Sequence, residues 1–309
     1  LGLGSLSSTH KLPEIVYFKH HECHAASAYF SSGFTEGNVI TIDGSGEEVS
    51  TLLCHASNNK IEVIKSFKLP DTLGGFYATF TEFLGFRAYH DEGKVMGLAS
   101  YGKYQEDLQK KLDLFIPFDL NTGEFSVNHK LRYIGEHTFG SRYTDEFVEI
   151  FGKPREDESA LSGPYPDLAF ALQYRLENIV NALAKWLYKE TGSRNLCLAG
   201  GVAMNCVMNG RLAEQDFVDN IYVQPASSDN GVSLGAAQLL NMQEGVKNQK
   251  MEHVYWGPEF SDNDIEKAIN ESKLSYRKSD NICNEIAKII NDGKIVGWFQ
   301  GRLEVGARA

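Results

Sequence analysis

Three short stretches in the first quarter of the chain constrain the fold most strongly. Each contains apolar and β-branched residues and is bounded by turn-forming residues, a pattern that predicts strands. The last two flank Asn58-Asn59, a pair typical of a hairpin turn. The predicted strands are residues 38–43, 49–55 and 60–68. We expect a helix at about 20–32 before them, with Gly33 as its C-cap, and a short strand at 13–19 leading into it.

The second half of the chain alternates between helices and strands, as α/β proteins do. A long amphipathic helix is predicted from Asp167 to about Thr191, because its apolar residues recur at helical spacing. A buried strand at Asn195–Ala199 ends at two glycines. Further predicted elements are helices at 74–86, 203–213 and 232–240, and a strand at 221–223. The predicted fold class is therefore α/β.

Two features predict more than one structural region. Residues 103–160 are polar, helix-rich and interrupted by Asn121-Thr122-Gly123, which indicates an insertion or subdomain. After residue 258 the pattern restarts, with helices at 262–272 and 281–291 and a strand at 294–300. We therefore expect a first domain of residues 1–258 and a second region of residues 259–309.

Composition excludes several classes of protein. The chain has 309 residues, 42% of them hydrophobic and 23% charged, as in ordinary globular proteins. A net charge of −11 argues against a general nucleic-acid binder, although a local basic site remains compatible with it. Five scattered cysteines without a CxxC pair predict a reduced, cytoplasmic protein, and no signal peptide or membrane-length apolar run is visible. Because the chain begins at Leu1 and stops abruptly at Ala309, we expect a fragment of a longer protein.

The segment His20-His21-Glu22-Cys23-His24 indicates a metal site. His20 and His24 are four residues apart, so on a helix their imidazoles point the same way. Asp43 follows an apolar run and precedes Gly44-Ser45-Gly46, which places a carboxylate at a strand end. Such a set suits a divalent iron, manganese or zinc ion. A solvated helix face and a plain Asp-Gly turn are the alternatives.

Two loops that follow strands can bind an anion or a metal. Gly200-Gly201, with Asn205 nearby, joins a strand to a helix, where free N–H groups favour phosphate. A tight turn is its alternative. Asp229 and Gly231 lie in a similar loop, and Asp229 is either a metal ligand or a helix cap.

Two cationic segments are candidate anion sites. Lys94 lies among small residues and glycines, where it can meet phosphate or carboxylate. Arg302 lies in the closing Gly301–Arg308 segment, where two arginines between glycines suit an anionic ligand. A surface lysine and a solvated basic turn are the alternatives.

In this order, the motifs resemble the O-carbamoyltransferase family that includes nodulation protein U and the antibiotic-tailoring carbamoyltransferases. The resemblance spans essentially the whole chain. The matching segments are His20–Ala28, Asp43–Glu47, Glu92–Gly102, Gly200–Asn205, Pro225–Gly231 and Gly301–Ala309. The resemblance implies an actin-like ATPase (ASKHA) fold, incomplete at the N-terminus. The start of a YrdC-like α/β domain would follow from about residue 281.

The resemblance also implies a chemistry. ATP and carbamoyl phosphate give carbamoyladenylate and pyrophosphate, and the carbamoyl group then passes to a hydroxyl of a small-molecule or sugar acceptor. The implied ligands of a divalent metal, commonly Fe²⁺ with Mn²⁺ or Zn²⁺ as options, are His20, His24, Asp43 and Asp229. The implied nucleotide-binding residues are Gly200, Gly201, Asn205, Gly231 and Arg302. Lys94 and His21 are the catalytic candidates, and His21 can equally be structural.

The sequence departs from the family in three places. An early His-Asp-Ala-Ser motif is absent, the carboxy-terminal Arg-Ala-Leu-Gly-Asn-Arg-Ser run is cut, and Ala307 stands where Pro is usual. We therefore expect metal binding, but not a full catalytic cycle from this chain alone. A tRNA threonylcarbamoyl transferase and a non-catalytic nucleotide-binding ATPase-fold module are the competing hypotheses. The sequence gives no indication of the acceptor or of the oligomeric state.

Overall fold

The computed structural model describes residues 14–133, 141–156 and 159–306. The chain forms two units, Leu1–Met251 and Glu252–Ala309. The boundary expected near residue 258 therefore falls within the second unit.

The first unit is built on a five-stranded mixed sheet. Its strands are β1 (Glu36–Gly46), β2 (Val49–Ser57), β3 (Lys60–Lys68), β4 (Asn195–Ala199) and β5 (Asn220–Val223). The spatial order is β3-β2-β1-β4-β5. The first three strands form an antiparallel meander, whereas β4 runs parallel to β1 and β5 parallel to β4. The mixed sheet with helices between its strands confirms the α/β class.

Helices cover both faces of the sheet, which explains why β1 is buried along most of its length. Successive strand residues point to opposite faces. Val39 packs in one hydrophobic cluster with residues of α1 (His20–Ser32) and α8 (Val232–Gln243). Ile40 and Ile42 pack in the other. That second cluster contains residues of α2 (Leu73–Phe83), α3 (Glu92–Ala99), α4 (Glu106–Phe115), α5 (Asp145–Phe151), α6 (Tyr165–Thr191) and α7 (Cys206–Ala213).

The region predicted as an insertion contributes to the core of the first unit. Phe115 and Phe147, on α4 and α5, are fully buried and belong to the same hydrophobic cluster as Phe80 of α2. Their rings also contact one another, with centroids 5.5 Å apart. Residues 103–160, where described, therefore pack onto the sheet-bound helices.

Two predicted strands are wrong. Residues 14–19, the described part of the first, have no regular structure, and neither do residues 294–300. A strand needs a neighbour with which to share its backbone hydrogen bonds, and Ile295 is completely exposed instead. The two helices predicted in the second unit are confirmed as α9 (Asp262–Glu271) and α10 (Ile282–Asn291). None of the described helices combines the length and the apolar character that crossing a membrane requires.

Candidate metal centre

The two predicted imidazole ligands meet on one side of α1. His20 and His24 are one turn apart, and their Nε2 atoms lie 3.0 Å from each other. The side chain of His24 is fully buried, whereas that of His20 is 20% exposed. Two ring nitrogens at this separation repel unless a proton or a cation lies between them.

Two carboxylates complete the group. Asp43 stands near the end of β1, and its Oδ2 lies 3.1 Å from His24 Nε2 and 3.5 Å from His20 Nε2. Asp229 opens the short 3-10 turn Asp229–Gly231 before α8, with Oδ1 3.5 Å from His20 Nε2 and 3.8 Å from His24 Nε2. The four ligand atoms all lie within 4.8 Å of one another. Three separate chain segments therefore converge on one point.

The pKa values of Asp43 and His20 depend on the contact between the two side chains. Burial alone would raise the pKa of Asp43, but hydrogen bonds from His20, His24 and the Gly44 N–H together lower it well below its usual range. The hydrogen bond to Asp43 raises the pKa of His20, against the effect of burial. In the absence of a metal, the site therefore favours an ionised Asp43 and the protonated form of His20.

The donor set fits a divalent transition metal. It offers two imidazole nitrogens and two carboxylate oxygens, the ligands that iron, manganese and zinc accept. His24 Nδ1 is buried and has no hydrogen-bond partner among the described residues, so Nε2 is the ring atom that faces the group. Metal sites of this type usually leave room for water or substrate oxygen atoms. Asp229, whose side chain is 73% exposed, lies on the open side.

His21 faces the sheet and not the ligand group. Its Nδ1 lies 2.7 Å from Thr41 Oγ1, on the face of β1 that α1 covers. Burial, assisted by the charges of His24 and His20, lowers the pKa of His21 to about 4. The neutral ring therefore joins α1 to β1, the two elements that carry three of the four ligands.

Residues that sequence reasoning missed hold Asp43 in place. Thr72 Oγ1 donates to the Gly44 carbonyl oxygen at 2.7 Å and to that of Asp43 at 3.1 Å. At Gly74 a Cβ atom would lie 2.6 Å from the Gly44 nitrogen, so only glycine lets α2 approach so closely. A Thr before two glycines at a predicted helix start is the signal that could have identified this contact.

The Gly200-Gly201 turn lies beside the same strand end. Gly200 has φ +90°, in the left-handed region, and a Cβ there would overlap the Ile42 carbonyl oxygen. A Cβ at Gly201 would lie 3.1 Å from Asp43 Oδ1. The structure therefore brings Gly200 and Gly201 next to the metal ligands. Gly231 closes the turn that Asp229 opens.

The side chain of Asn205 forms hydrogen bonds that hold α6 and α7 together. It caps α7 by accepting from the Met208 N–H at 3.0 Å. It also exchanges two hydrogen bonds with Gln173 of α6, at 2.8 and 3.0 Å, and Gln173 accepts from the Tyr77 hydroxyl. Beside this network lies a cavity of about 420 Å³ between α3, α6 and α7. Its lining includes Met96, Gln173, Glu177, Asn181, Val207 and Arg211.

The remaining candidates lie outside the ligand group. Lys94 is exposed on α3 and pairs with Asp91, with Nζ 3.0 Å from Oδ1. Arg302 belongs to the second unit, where its Nε donates to the Gly257 carbonyl oxygen at 3.1 Å. Lys94 contacts no candidate metal ligand among the described residues.

Residues 3–238 match the family described as Carbamoyltransferase N-terminus. The chain belongs to the carbamoyltransferase family, because this match covers most of its length. An uncharacterized protein, sll1178, from Synechocystis sp. is 37% identical over 97% of this chain and 50% of its own length. Nodulation protein NolNO from Sinorhizobium fredii is 35% identical over 96% of this chain and 42% of its own length. The chain therefore spans about half the length of the curated relatives it matches.

Among solved structures, the chain is similar to a full-length HypF in a phosphate- and nucleotide-bound form. The identity is 17%, the TM-score is 0.41, and the match covers 78% of this chain and 45% of that chain. A TM-score this low gives no support for a shared function.

Proposed function

We propose that this chain is part of an ATP-dependent O-carbamoyltransferase. Hydrolysis of carbamoyl phosphate by water would give carbamate and phosphate, and attack of carbamate on ATP would give carbamoyladenylate and pyrophosphate. The carbamoyl group would then pass to a hydroxyl of a small-molecule or sugar acceptor, with release of AMP. One observation carries the proposal above all. In a chain of the carbamoyltransferase family, the ligand atoms of His20, His24, Asp43 and Asp229 lie within 4.8 Å of one another.

The metal site is the centre of the proposal. His20, His24, Asp43 and Asp229 would hold a divalent cation, with Fe²⁺ proposed first and Mn²⁺ or Zn²⁺ as options. When bound, such a cation supplies a Lewis acid that polarises a carbonyl and orients the acceptor. The chain itself supplies rigid placement of three of the four ligands, because α1 and β1 are locked together in the core. The exposed Asp229 is the ligand with freedom to adjust.

The nucleotide is proposed to bind around the Gly200-Gly201 turn and the cavity beside it. The turn opens the segment that leads into α7, and Asn205 joins it to α6. The cavity volume is in the range of small-molecule sites. Glu177 and Arg211 among its lining residues offer hydrogen-bonding groups for a ribose and a base. Gly231 and Arg302 complete the proposed nucleotide-binding set.

The architecture supports the finer fold proposal. A three-stranded meander continued by two parallel strands, with Asp43-Gly44 at the end of the first, is compatible with half of an actin-like ATPase (ASKHA) core. The start of a YrdC-like domain after about residue 281 and a cytoplasmic location belong to the same proposal.

Lys94 and His21 are the proposed catalytic candidates. The exposed Lys94 would neutralise phosphate charge after exchanging its partner Asp91, since the ion pair of an exposed lysine is weak. His21 would keep the ligand helix in register with β1 through Thr41.

The test is an assay of the full-length protein with ATP, carbamoyl phosphate and a panel of hydroxylated acceptors. Pyrophosphate release is expected to depend on carbamoyl phosphate, and mass spectrometry is expected to find one acceptor that gains a carbamoyl group. His24→Ala should abolish transfer. His55→Ala is the matched control, because His55 is a partly buried histidine of the same sheet that pairs with Asn38 and Glu36, outside the ligand group.

Two results would overturn the proposal. One is pyrophosphate release that is indifferent to carbamoyl phosphate, which would favour a different nucleotide reaction. The other is full transfer activity in His24→Ala, which would remove the ligand group from the mechanism.

A further inference from the structure

Arg132 is a buried cation without a carboxylate partner among the described residues. Only 6% of its surface is exposed, and its Nε and Nη1 atoms have no hydrogen-bond partner. The neighbouring cation, Arg142, is neutralised by Glu82 at 2.6 Å. Burial of an unpaired charge is strongly unfavourable, so such a group points to a ligand that completes it.

The guanidinium lies against the first turn of α2. A Cβ atom at Gly75 would collide with both of its terminal nitrogens. The Gly75 N–H is capped by Thr72 Oγ1 at 3.1 Å, whereas the N–H groups of Leu73 and Gly74 have no partner among the described residues. A helix start offers free donors and a partial positive charge. Two groups that each attract an anion, the guanidinium and the helix start, therefore lie side by side.

Tyr89 is the solvent-exposed residue beside Arg132. Its side chain is 55% exposed, and it is the group that counters the effect of burial on the pKa of Arg132. Burial lowers the pKa of Arg132 and Tyr89 opposes that effect, but a guanidinium stays charged near neutral pH. A Cβ at Gly44 would lie 3.0 Å from Tyr89 Cε1, so Tyr89 borders the residue next to the metal ligand Asp43.

We propose that Arg132, Tyr89 and the first turn of α2 form a binding site for a phosphate group. Donors from three different segments suit an anion with several oxygen atoms, and the guanidinium fork matches phosphate geometry. The phosphate can belong to carbamoyl phosphate or to a nucleotide, and both share the chemistry that the site recognises. The site does not depend on the proposed transfer reaction, because binding alone defines it.

The experiment is calorimetric titration of the full-length protein with inorganic phosphate, carbamoyl phosphate and AMP, in separate arms. Arg132→Gln is expected to weaken inorganic phosphate binding by about tenfold or more, because the charged fork is lost. Arg87→Gln is the matched control. It removes an exposed arginine of the same region whose side chain has no hydrogen bond or ion pair among the described residues, and it should change binding by less than about twofold.

A second variant, Tyr89→Phe, tests the site even if Arg132→Gln does not fold. Tyr89→Phe keeps the guanidinium and removes one donor from an exposed ring, so it should fold and weaken phosphate binding by about threefold to tenfold. Arg132→Gln should also melt no lower than the wild type, since it removes an unpaired buried charge.

The arm that responds to Arg132→Gln identifies the source of the phosphate. Loss of carbamoyl phosphate binding assigns the donor, and loss of AMP binding assigns the nucleotide. The inference is overturned if the wild type binds no phosphate at millimolar concentration, or if Arg132→Gln and Tyr89→Phe both bind it as the wild type does. Because no turnover is measured, failure of the transferase proposal leaves this result standing.

Discussion

The two carboxylates of the metal centre should behave differently in the metal-free protein and alike in its presence. Asp43 is 15% exposed and accepts hydrogen bonds from His24 at 3.1 Å and from the Gly44 N–H at 2.7 Å. Asp229 is 73% exposed and lies 3.5 Å or more from either histidine. The comparison of Asp43→Asn with Asp229→Asn therefore separates a structural role from a ligand role.

The magnitudes follow from these contacts. Asp43→Asn removes charged hydrogen bonds in a buried place, which costs about 1.5–3 kcal/mol of unfolding free energy. Asp229→Asn is a surface change worth less than about 0.5 kcal/mol. For a unit of this size, about 1 kcal/mol shifts Tm by roughly 2–4 °C. The metal-free Tm should therefore fall by roughly 3–12 °C in the first variant and by no more than about 2 °C in the second.

The stabilisation by added metal should be alike in the two variants. At about 100 times its Kd, a metal that binds only the native state adds about 2.7 kcal/mol, so the wild-type Tm should rise by roughly 5–11 °C. Both variants should lose most of that rise. Differential scanning fluorimetry of chelator-treated protein, with and without Fe²⁺, Mn²⁺ or Zn²⁺, measures both effects. The reasoning is refuted if Asp229→Asn keeps the full metal-induced rise, or if it destabilises the metal-free protein as much as Asp43→Asn does.

Three further predictions concern the rest of the first unit and the thiols. The exposed Cys206 and Cys283 should react with a thiol reagent under native conditions, whereas the three buried cysteines should react only in denaturant. Reaction of all five cysteines under native conditions would contradict the burial of those three. Gly235→Ala should lower Tm by several degrees in a thermal melt, because the Cβ atom of the alanine would overlap the Cys23 carbonyl oxygen where α8 crosses α1. An unchanged Tm would refute this packing. Lowering the pH from about 7 to about 5 should cost the wild type about 2 kcal/mol more than His21→Gln. Between pH 7 and pH 5 the His21 side chain gains a proton in the unfolded protein, but not in the native protein, where its pKa is about 4. The contribution of His21 to the free energy of unfolding is therefore present above the unfolded pKa and is lost as the pH falls below it. Equal pH slopes in urea titrations of the two proteins would show that His21 is not buried and neutral.

The sequence carried enough information to predict the five strands of the sheet and most candidate ligands of the centre. The β-branched run of β1 and the apolar residues of β2 and β4 are buried, and the composition of these segments indicated that burial. The spacing of His20 and His24 predicted one shared face because helical periodicity is a local property. Asp229 was ambiguous between ligand and cap, and the structure places it with the histidines.

What depends on distant contacts was not predictable. The strand expected at 294–300 has the right residues but no pairing partner among the described residues. Arg132 has no motif around it, and its significance arises only from the first turn of α2, more than fifty residues earlier in the chain. The contact of Gly74 with Asp43 and Gly44 is likewise a matter of packing between segments.

The pairing of β1 has a consequence for synthesis of the protein. Residue 39 pairs with residue 54 on one side and with residue 197 on the other. At translation rates of about 5–20 residues per second, the second partner emerges roughly 8–30 s after β1 itself. During that interval β1 has one apolar edge open on the ribosome, where a neighbouring nascent chain can pair with it. The strand that bears Asp43 is therefore exposed to aggregation in a newly made chain until β4 has been synthesised.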